Sequence, residues 1–171
     1  EIKPFFFELS KKEDKQFLEN VSSILKNKNF ILGDYTKSFE LLFSKRNKSK
    51  YAIAVNSGTT ALEILISFNT KFNKCKIAVQ SNTNFATIAS IIRSNGYPVY
   101  LDMSSKYMCP TYEELVKKYN KHKFTGLVWV HIAGIISPDF LLVKKFCKRN
   151  KIFLVEDCAH AHGSKFKNIF A

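Results

Sequence analysis

Cysteine is sparse in this chain: four in 171 residues, Cys75, Cys109, Cys147 and Cys158. No two form a CxxC pair and their spacing outlines no disulfide framework, so reduced thiols in a cytosolic protein are the simplest account. Long apolar runs are lacking too. The longest, residues 126–136, contains His131 and is too short to cross a bilayer, and no signal peptide is visible. There is no internal repeat and no low-complexity linker. Acidic residues are few, 14 Asp+Glu against 27 Lys+Arg, giving a formal net charge of +13. That excess invites nucleic acid as a partner. However, the basic residues are spread over polar helix faces, with clusters at 45–50 and 144–151, and no recognition motif or interleaved aromatic and basic pattern goes with them. Solvated helix faces account for the charge, and attraction of phosphorylated substrates is the next reading. An initiator Met is also lacking, and the chain breaks off at Phe170-Ala171; a piece of a longer protein is the expectation.

What is present is enough apolar material, 46% of residues, for a domain with a sizeable core. Ser10-Lys11-Lys12-Glu13 is a capping box opening a helix whose Phe17, Leu18, Val21 and Leu25 share a face. A linker through Gly33 leads to a second helix with Phe39, Leu42 and Phe43 inward. From Tyr51 a βα alternation takes over. Strands are expected at 51–55, 76–80, 97–101, 126–131 and 152–156. The intervening helices carry Ala61, Leu62, Leu65 and Ile66, then Phe85, Ile88, Ala89 and Ile92, then the segment opened by a second capping box, Thr111 to Glu114. Asn95-Gly96 ends the helix before 97–101, with glycine in the left-handed cap position. Ser137-Pro138 starts the last helix, with Leu142, Val143, Phe146 and Cys147 inward. Strands alternating with helices predict a three-layer α/β/α fold with a mostly parallel sheet.

Chemistry concentrates where strands end. In open α/β sheets ligands bind outside the carboxyl ends of the strands. Asn56-Ser57-Gly58-Thr59-Thr60 follows one expected strand and opens a helix. Free N–H groups, the positive dipole end and hydroxyls there suit a phosphate, and Gly58 lets a ligand approach the backbone; an ordinary helix cap explains the same residues. Glu156-Asp157-Cys158-Ala159-His160-Ala161-His162-Gly163 ends another strand. Asp157 there has three readings: a loop cap, a metal ligand with Cys158, His160 and His162, or the partner of a protonated cofactor ring nitrogen.

Taken in order, these segments resemble the DegT/DnrJ/EryC1/StrS sugar aminotransferases, which are fold-type I pyridoxal-phosphate enzymes. Phe30-Ile31-Leu32-Gly33 with Phe39-Glu40 is similar to the family's N-terminal "G…FE" segment, and Ser57-Gly58-Thr59-Thr60-Ala61-Leu62 to its "SGTxAL" turn. Thr83 to Thr87 with 95–102 resembles "TFxAT…GxxPVFxD", residues 130–134 resemble "VHLYG", and 156–163 resemble "EDxAQAHG". The resemblance covers nearly the whole chain.

It implies an incomplete large domain of the aspartate aminotransferase-like fold, with an N-terminal helical arm over 1–34 and a partial cofactor-binding large domain over 35–171. The cofactor would be pyridoxal 5'-phosphate. Asp157 would pair with its pyridine nitrogen and His160, where the family often has Gln, would stand near its phenolic oxygen. Ser57, Gly58, Thr59 and Thr60 would hold the phosphate, and Thr83 and Asn84 would border the ring. Two departures stand out. The family's stacking aromatic is replaced by Asn84, and Phe85, one residue or about 100° further round a helix, is expected to face the core. The family's cofactor-linking lysine belongs to a block further downstream; Lys165 and Lys167 come too soon to match it and read as surface residues. The implied activity is transfer of an amino group, from glutamate, to a keto sugar on a nucleotide. A cytoplasmic homodimer would carry it out, supplying surface polysaccharide, lipopolysaccharide or antibiotic sugars. A 3-dehydratase of the same family, with His for that lysine, and a non-catalytic α/β ligand-binding domain are the alternatives.

Overall fold

The computed structural model describes residues 8–166 and the backbone of 169–170; Lys167 lies outside the described residues. The chain forms two compact units, Glu1–Ala54 and Val55–Ala171.

The first unit holds helices α1 (Lys11–Asn27) and α2 (Asp34–Asn47). The expected capping box is present: Ser10 Oγ accepts from Glu13 N–H, and the Glu13 carboxylate accepts from the Ser10 N–H at 2.8 Å. The apolar faces are less covered than their spacing predicts. Phe17, Leu18 and Leu25 on α1, and Phe39 and Leu42 on α2, are exposed; Phe43 is half-buried. Residues 51–55 form no ladder, which corrects the expected first strand. Their exposure alternates with the period of a strand, but the large side chains face out (Ile53 is 81% exposed) and the alanines inward. A strand requires a neighbour to take its backbone groups, and here the Ala54 N–H is held instead by Glu40 Oε1 at 2.8 Å.

The second unit is a parallel sheet of β1 (Cys75–Gln80), β2 (Gly96–Leu101), β3 (Gly126–Val130) and β4 (Phe153–Asp157), in the order β2-β1-β3-β4. Helices α3 (Gly58–Thr70), α4 (Phe85–Arg93), α5 (Tyr112–His122) and α6 (Phe140–Arg149) complete three layers. Alternate residues serve opposite faces. Ile77, Val79, Val128, Val130 and Val155 pack with Leu62 and Ile66 of α3 and Ile91 of α4. Ala78, Leu101, Leu127 and Trp129 pack with Leu115 of α5 and Phe140, Val143 and Phe146 of α6. Both faces are dry, so β3 is buried throughout. Pro98 lies in β2, an edge strand, where its missing N–H removes little. A short antiparallel pair, β5 (Lys165–Phe166) and β6 (Ile169–Phe170), follows.

Several local expectations need correction. On α4 the fully buried residues are Thr87, Ser90 and Ile91; of the expected stripe Ile88 packs against the core and Ala89 is half-buried, whereas Ile92 is exposed and Phe85, 83% exposed, does not face the core. The true stripe lies two positions on, a rotation of about 200°, and its hydroxyls are satisfied: Ser90 Oγ donates to the carbonyls of Ala86 (2.7 Å) and Thr59 (3.2 Å). At the end of α4 it is Asn95 that takes positive φ (63°). Gly96 is required for space, since a Cβ there would lie 2.8 Å from Ile77 Cδ1 and 2.9 Å from the Ile91 carbonyl oxygen. Thr111 caps α5, but Glu114 turns to the Asp102 N–H (3.1 Å) rather than closing a box. The last helix begins at Phe140, with the Ser137 hydroxyl accepting from Asp139 N–H in the preceding turn; Leu142 is exposed.

Candidate active site

Because all four strands run parallel, the segments after β1, β3 and β4 emerge at one edge of the sheet, and it is there that the polar residues gather. Asp157 ends β4. Its Oδ2 accepts a hydrogen bond from Thr87 Oγ1 on α4 at 3.1 Å, and its Oδ1 accepts from the Ala159 N–H at 3.2 Å. Thr87 in turn accepts from Thr83 Oγ1 at 3.0 Å. A carboxylate has about four acceptor positions, so two donors orient Asp157 and leave capacity for a ligand's N–H.

The turn into α3 is the second part. Ser57 Oγ accepts from Thr60 N–H (3.1 Å) and lies 3.0 Å from Thr60 Oγ1, while Ala61 N–H goes to the Ser57 carbonyl. The cap therefore uses the Ser57 and Thr60 hydroxyls on each other. Among the described residues the N–H groups of Gly58 and Thr59 have no partner, and a Cβ on Gly58 would meet nothing within 4 Å. Two unpartnered amides thus stand at the dipole end of a 13-residue helix, beside open space at Gly58, a disposition that suits an anion. The bond from Ser90 of α4 to the Thr59 carbonyl ties this turn to the helix that carries Thr87. Asn84 caps α4, its Oδ1 accepting from Ala86 N–H at 2.9 Å.

His160 is exposed, and its Nδ1 accepts from the Ala133 N–H at 3.3 Å. Since a backbone N–H can only donate, the neutral ring carries its proton on Nε2, which is the tautomer able to donate outward.

On the other face of β4, Glu156 joins Lys144 Nζ at 3.0 Å and His131 Nε2 at 3.4 Å. His131 is fully buried beneath the edge of Phe140, ring centroids 4.9 Å apart. Burial pushes the Glu156 carboxyl up, but the bonds from His131 and Lys144 outweigh it and hold it below its ordinary value. Burial, with Glu156 and Asp157 nearby, pushes the Cys158 thiol up to about 11. The metal-type donors that come together are His131, Glu156 and Cys158, within 4.8 Å of one another, rather than Asp157, Cys158, His160 and His162. The Lys144 ammonium already supplies a cation to that cluster. Thr87 and Lys144 were not singled out from sequence; Thr87 falls inside the "TFxAT" match, whereas Lys144 is one of several lysines on a helix and carries no signal of its own.

An open parallel α/β sheet with a held carboxylate and an open helix start at its carboxyl edge defines a domain of the doubly wound type. The chain matches the DegT/DnrJ/EryC1/StrS aminotransferase family over residues 11–169 and belongs to it. It is 29% identical over 132 residues to GDP-perosamine synthase of Vibrio cholerae, covering 77% of this chain and 35% of that protein. It is 25% identical over 155 residues to dTDP-3-amino-3,4,6-trideoxy-alpha-D-glucose transaminase of Micromonospora megalomicea subsp. nigra, covering 90% and 41%. Among solved structures it superposes on the aminotransferase from Psychrobacter cryohalolentis with a TM-score of 0.81 and 26% identity, over 98% of this chain and 41% of that one. It also superposes on a GDP-4-keto-6-deoxymannose-3-dehydratase with a trapped PLP-glutamate geminal diamine, TM-score 0.79 and 26% identity, over 90% and 41%. The chain thus spans roughly two fifths or less of the length of these relatives. The fold is that of the fold-type I pyridoxal-phosphate enzymes.

Proposed function

We propose that this chain supplies the cofactor-binding part of a pyridoxal-phosphate-dependent enzyme that transfers an amino group, from glutamate, to a keto sugar carried on a nucleotide. The observation that carries the reading is the Asp157 carboxylate, held by Thr87 and Ala159 at the sheet edge to which α3 presents two free amides. The donor set fits the cofactor. The Gly58 and Thr59 N–H groups and the Thr59 hydroxyl would hold its phosphate, with Ser57 and Thr60 shaping the turn. Asp157 would accept from the ring N–H, His160 Nε2 would donate to the phenolic oxygen, and Thr83 and Asn84 would border the ring. When bound, pyridoxal phosphate acts as an electron sink at the substrate carbon, and the negative charge of Asp157 keeps the ring nitrogen protonated for that role.

The names of the relatives support a nucleotide-linked sugar as substrate, and hence a place in surface polysaccharide, lipopolysaccharide or antibiotic sugar synthesis. The dehydratase neighbour supports the second reading, 3-dehydration of such a sugar. Exposed Phe85 and Ile92 on α4 support a homodimer. Four free cysteines support a cytoplasmic setting, and no helix among the described residues is long and apolar enough to cross a membrane. The division into an arm (1–34) and a large domain (35–171) belongs to the same proposal.

Pyridoxal phosphate titrated into the full chain, followed by cofactor absorbance, tests this. Saturable binding, competed by inorganic phosphate and weakened at least about tenfold by Asp157→Asn, is expected, since a charge-assisted bond is lost. No saturable binding overturns the reading. Binding without turnover of any nucleotide sugar by the complete protein would leave a ligand-binding domain.

A further inference from the structure

The hydrogen bonds that end on Asp157 continue to Thr87 on α4 and to Thr83 before it, and Thr87 has no part in the proposed cofactor contact. Thr83 Oγ1 donates to Thr87 Oγ1 at 3.0 Å, and Thr87 Oγ1 donates to Asp157 Oδ2 at 3.1 Å. Thr87 is 1% exposed and sits in the first turn of α4, on the face that packs toward α3 and the sheet. A threonine hydroxyl inside a helix ordinarily has a local outlet, the carbonyl one turn back. Ser90, one turn further along the same face, takes that outlet with the Ala86 carbonyl. Thr87 does not: its hydroxyl reaches 70 residues along the sequence to a carboxylate on β4.

The geometry points to Thr87 as a positioning residue for Asp157, with Thr83 setting the direction of its hydroxyl; this rests on the proposed cofactor reading. A hydroxyl has one proton. Because Thr83 donates to Thr87, the Thr87 oxygen is engaged as an acceptor and its own proton is directed at Asp157. The β-branched side chain has few χ1 choices in a helix, so the donor is fixed in space by α4 itself. The opposite oxygen is fixed by the Ala159 N–H. The carboxylate is thereby clamped at both oxygens, one clamp from the helix and one from the loop after β4. Thr87 touches neither cofactor nor substrate; it acts by fixing the rotation of the group that does. Asp157 would otherwise rotate about its side-chain bonds, as sp³–sp² torsions are broad, and the cofactor would have to order it on binding.

Thr87→Val keeps the branched shape and removes the donor, and Thr87→Ser restores the donor without the methyl. Pyridoxal phosphate affinity of the full chain is measured for both, beside the ¹³Cγ resonance of Asp157 in the cofactor-free protein. The expected result is about a tenfold weaker affinity for Thr87→Val, a displaced Asp157 resonance, and recovery of both in Thr87→Ser. A purely structural role would move melting temperature alike in both variants without tracking the hydroxyl. If Thr87→Val fails to fold, Thr83→Val, at a half-buried position before α4, is read instead; roughly a twofold to threefold loss of affinity is expected, and a displaced Asp157 resonance in the cofactor-free protein separates loss of the directing bond from any loss of contact at the ring. Tight binding by wild type and by the valine variants alike overturns the positioning role and leaves the cofactor reading standing. Absence of binding by wild type overturns both.

Discussion

Glu156 and Asp157 are adjacent carboxylates that serve opposite sides of one sheet. Successive side chains on a strand point to opposite faces, so Asp157 meets Thr87 of α4 while Glu156 meets Lys144 of α6 and His131. One keeps acceptor capacity beyond its two donors, and the other is neutralised as part of the scaffold. Because the folded-state pKa of Glu156 lies below its ordinary value, its contribution is present above the unfolded carboxylate pKa. It is lost as pH falls through the folded value. Glu156→Gln should therefore cost about 1–2 kcal/mol at neutral pH, and the gap to wild type should close as the medium is acidified below the ordinary carboxylate range. Urea denaturation at several pH values checks this; a gap that widens on acidification would contradict the ion pair as its source. Gly96 makes a second prediction at this scale. Its would-be Cβ meets a backbone carbonyl at 2.9 Å, which is less able to give way than a side-chain end. Gly96→Ala should destabilise by roughly 1–3 kcal/mol, read as a lower denaturation midpoint at unchanged slope.

Among the elements, α3 has the plainest link between local structure and function. Ser57 closes its first turn by accepting from the Thr60 N–H, and the Gly58 and Thr59 amides are left without a partner among the described residues. Ser57→Ala should cost about 1 kcal/mol of stability, the ordinary worth of a cap. It should also weaken phosphate-containing ligands, because the amides lose their fixed direction; melting curves and pyridoxal phosphate titration report the two effects separately. The four ladder-forming strands were legible in the sequence because their runs are apolar on both faces and each is bounded by a helix. Residues 51–55 have the same composition, but a strand is defined by its neighbour, and sequence pattern carries no information about which neighbours are present. The phase of α4 departs from its apolar periodicity for a related reason. Its buried face is built from Thr87 and Ser90, hydroxyls whose partners lie on β4, on α3 and one turn back, while its apolar Phe85 and Ile92 face outward. Periodicity treats apolar as inward, and here the non-local hydrogen bonds prevail. Asp157, His160 and the Ser57 to Thr60 turn are candidates that sequence can propose, because each sits in a contiguous block at an element's end. Thr87 and Lys144 gain their meaning only from contacts across the fold.

The whole molecule combines a formal charge of +13 with large apolar side chains left in solvent, among them Phe68 on α3 and Phe85 and Ile92 on α4. These two properties oppose each other in association. Like charge keeps copies apart through a repulsion that reaches roughly 30 Å at about 0.01 M salt and only roughly 8 Å at about 0.15 M. Burial of apolar surface is not screened in that way. Self-association of the chain should therefore strengthen as salt is raised, the reverse of a complex held by opposite charges, which salt dissociates. Phe85→Ser should shift the equilibrium toward monomer at every salt concentration, since a ring that is 83% exposed contributes little to the fold that its removal could damage. Sedimentation velocity of wild type and Phe85→Ser across that salt range separates the cases. Association that weakens with salt would place the contact on charged surface instead. Association that strengthens with salt but ignores Phe85→Ser would move the apolar contact away from α4, and with it the support that α4 lends to a homodimer.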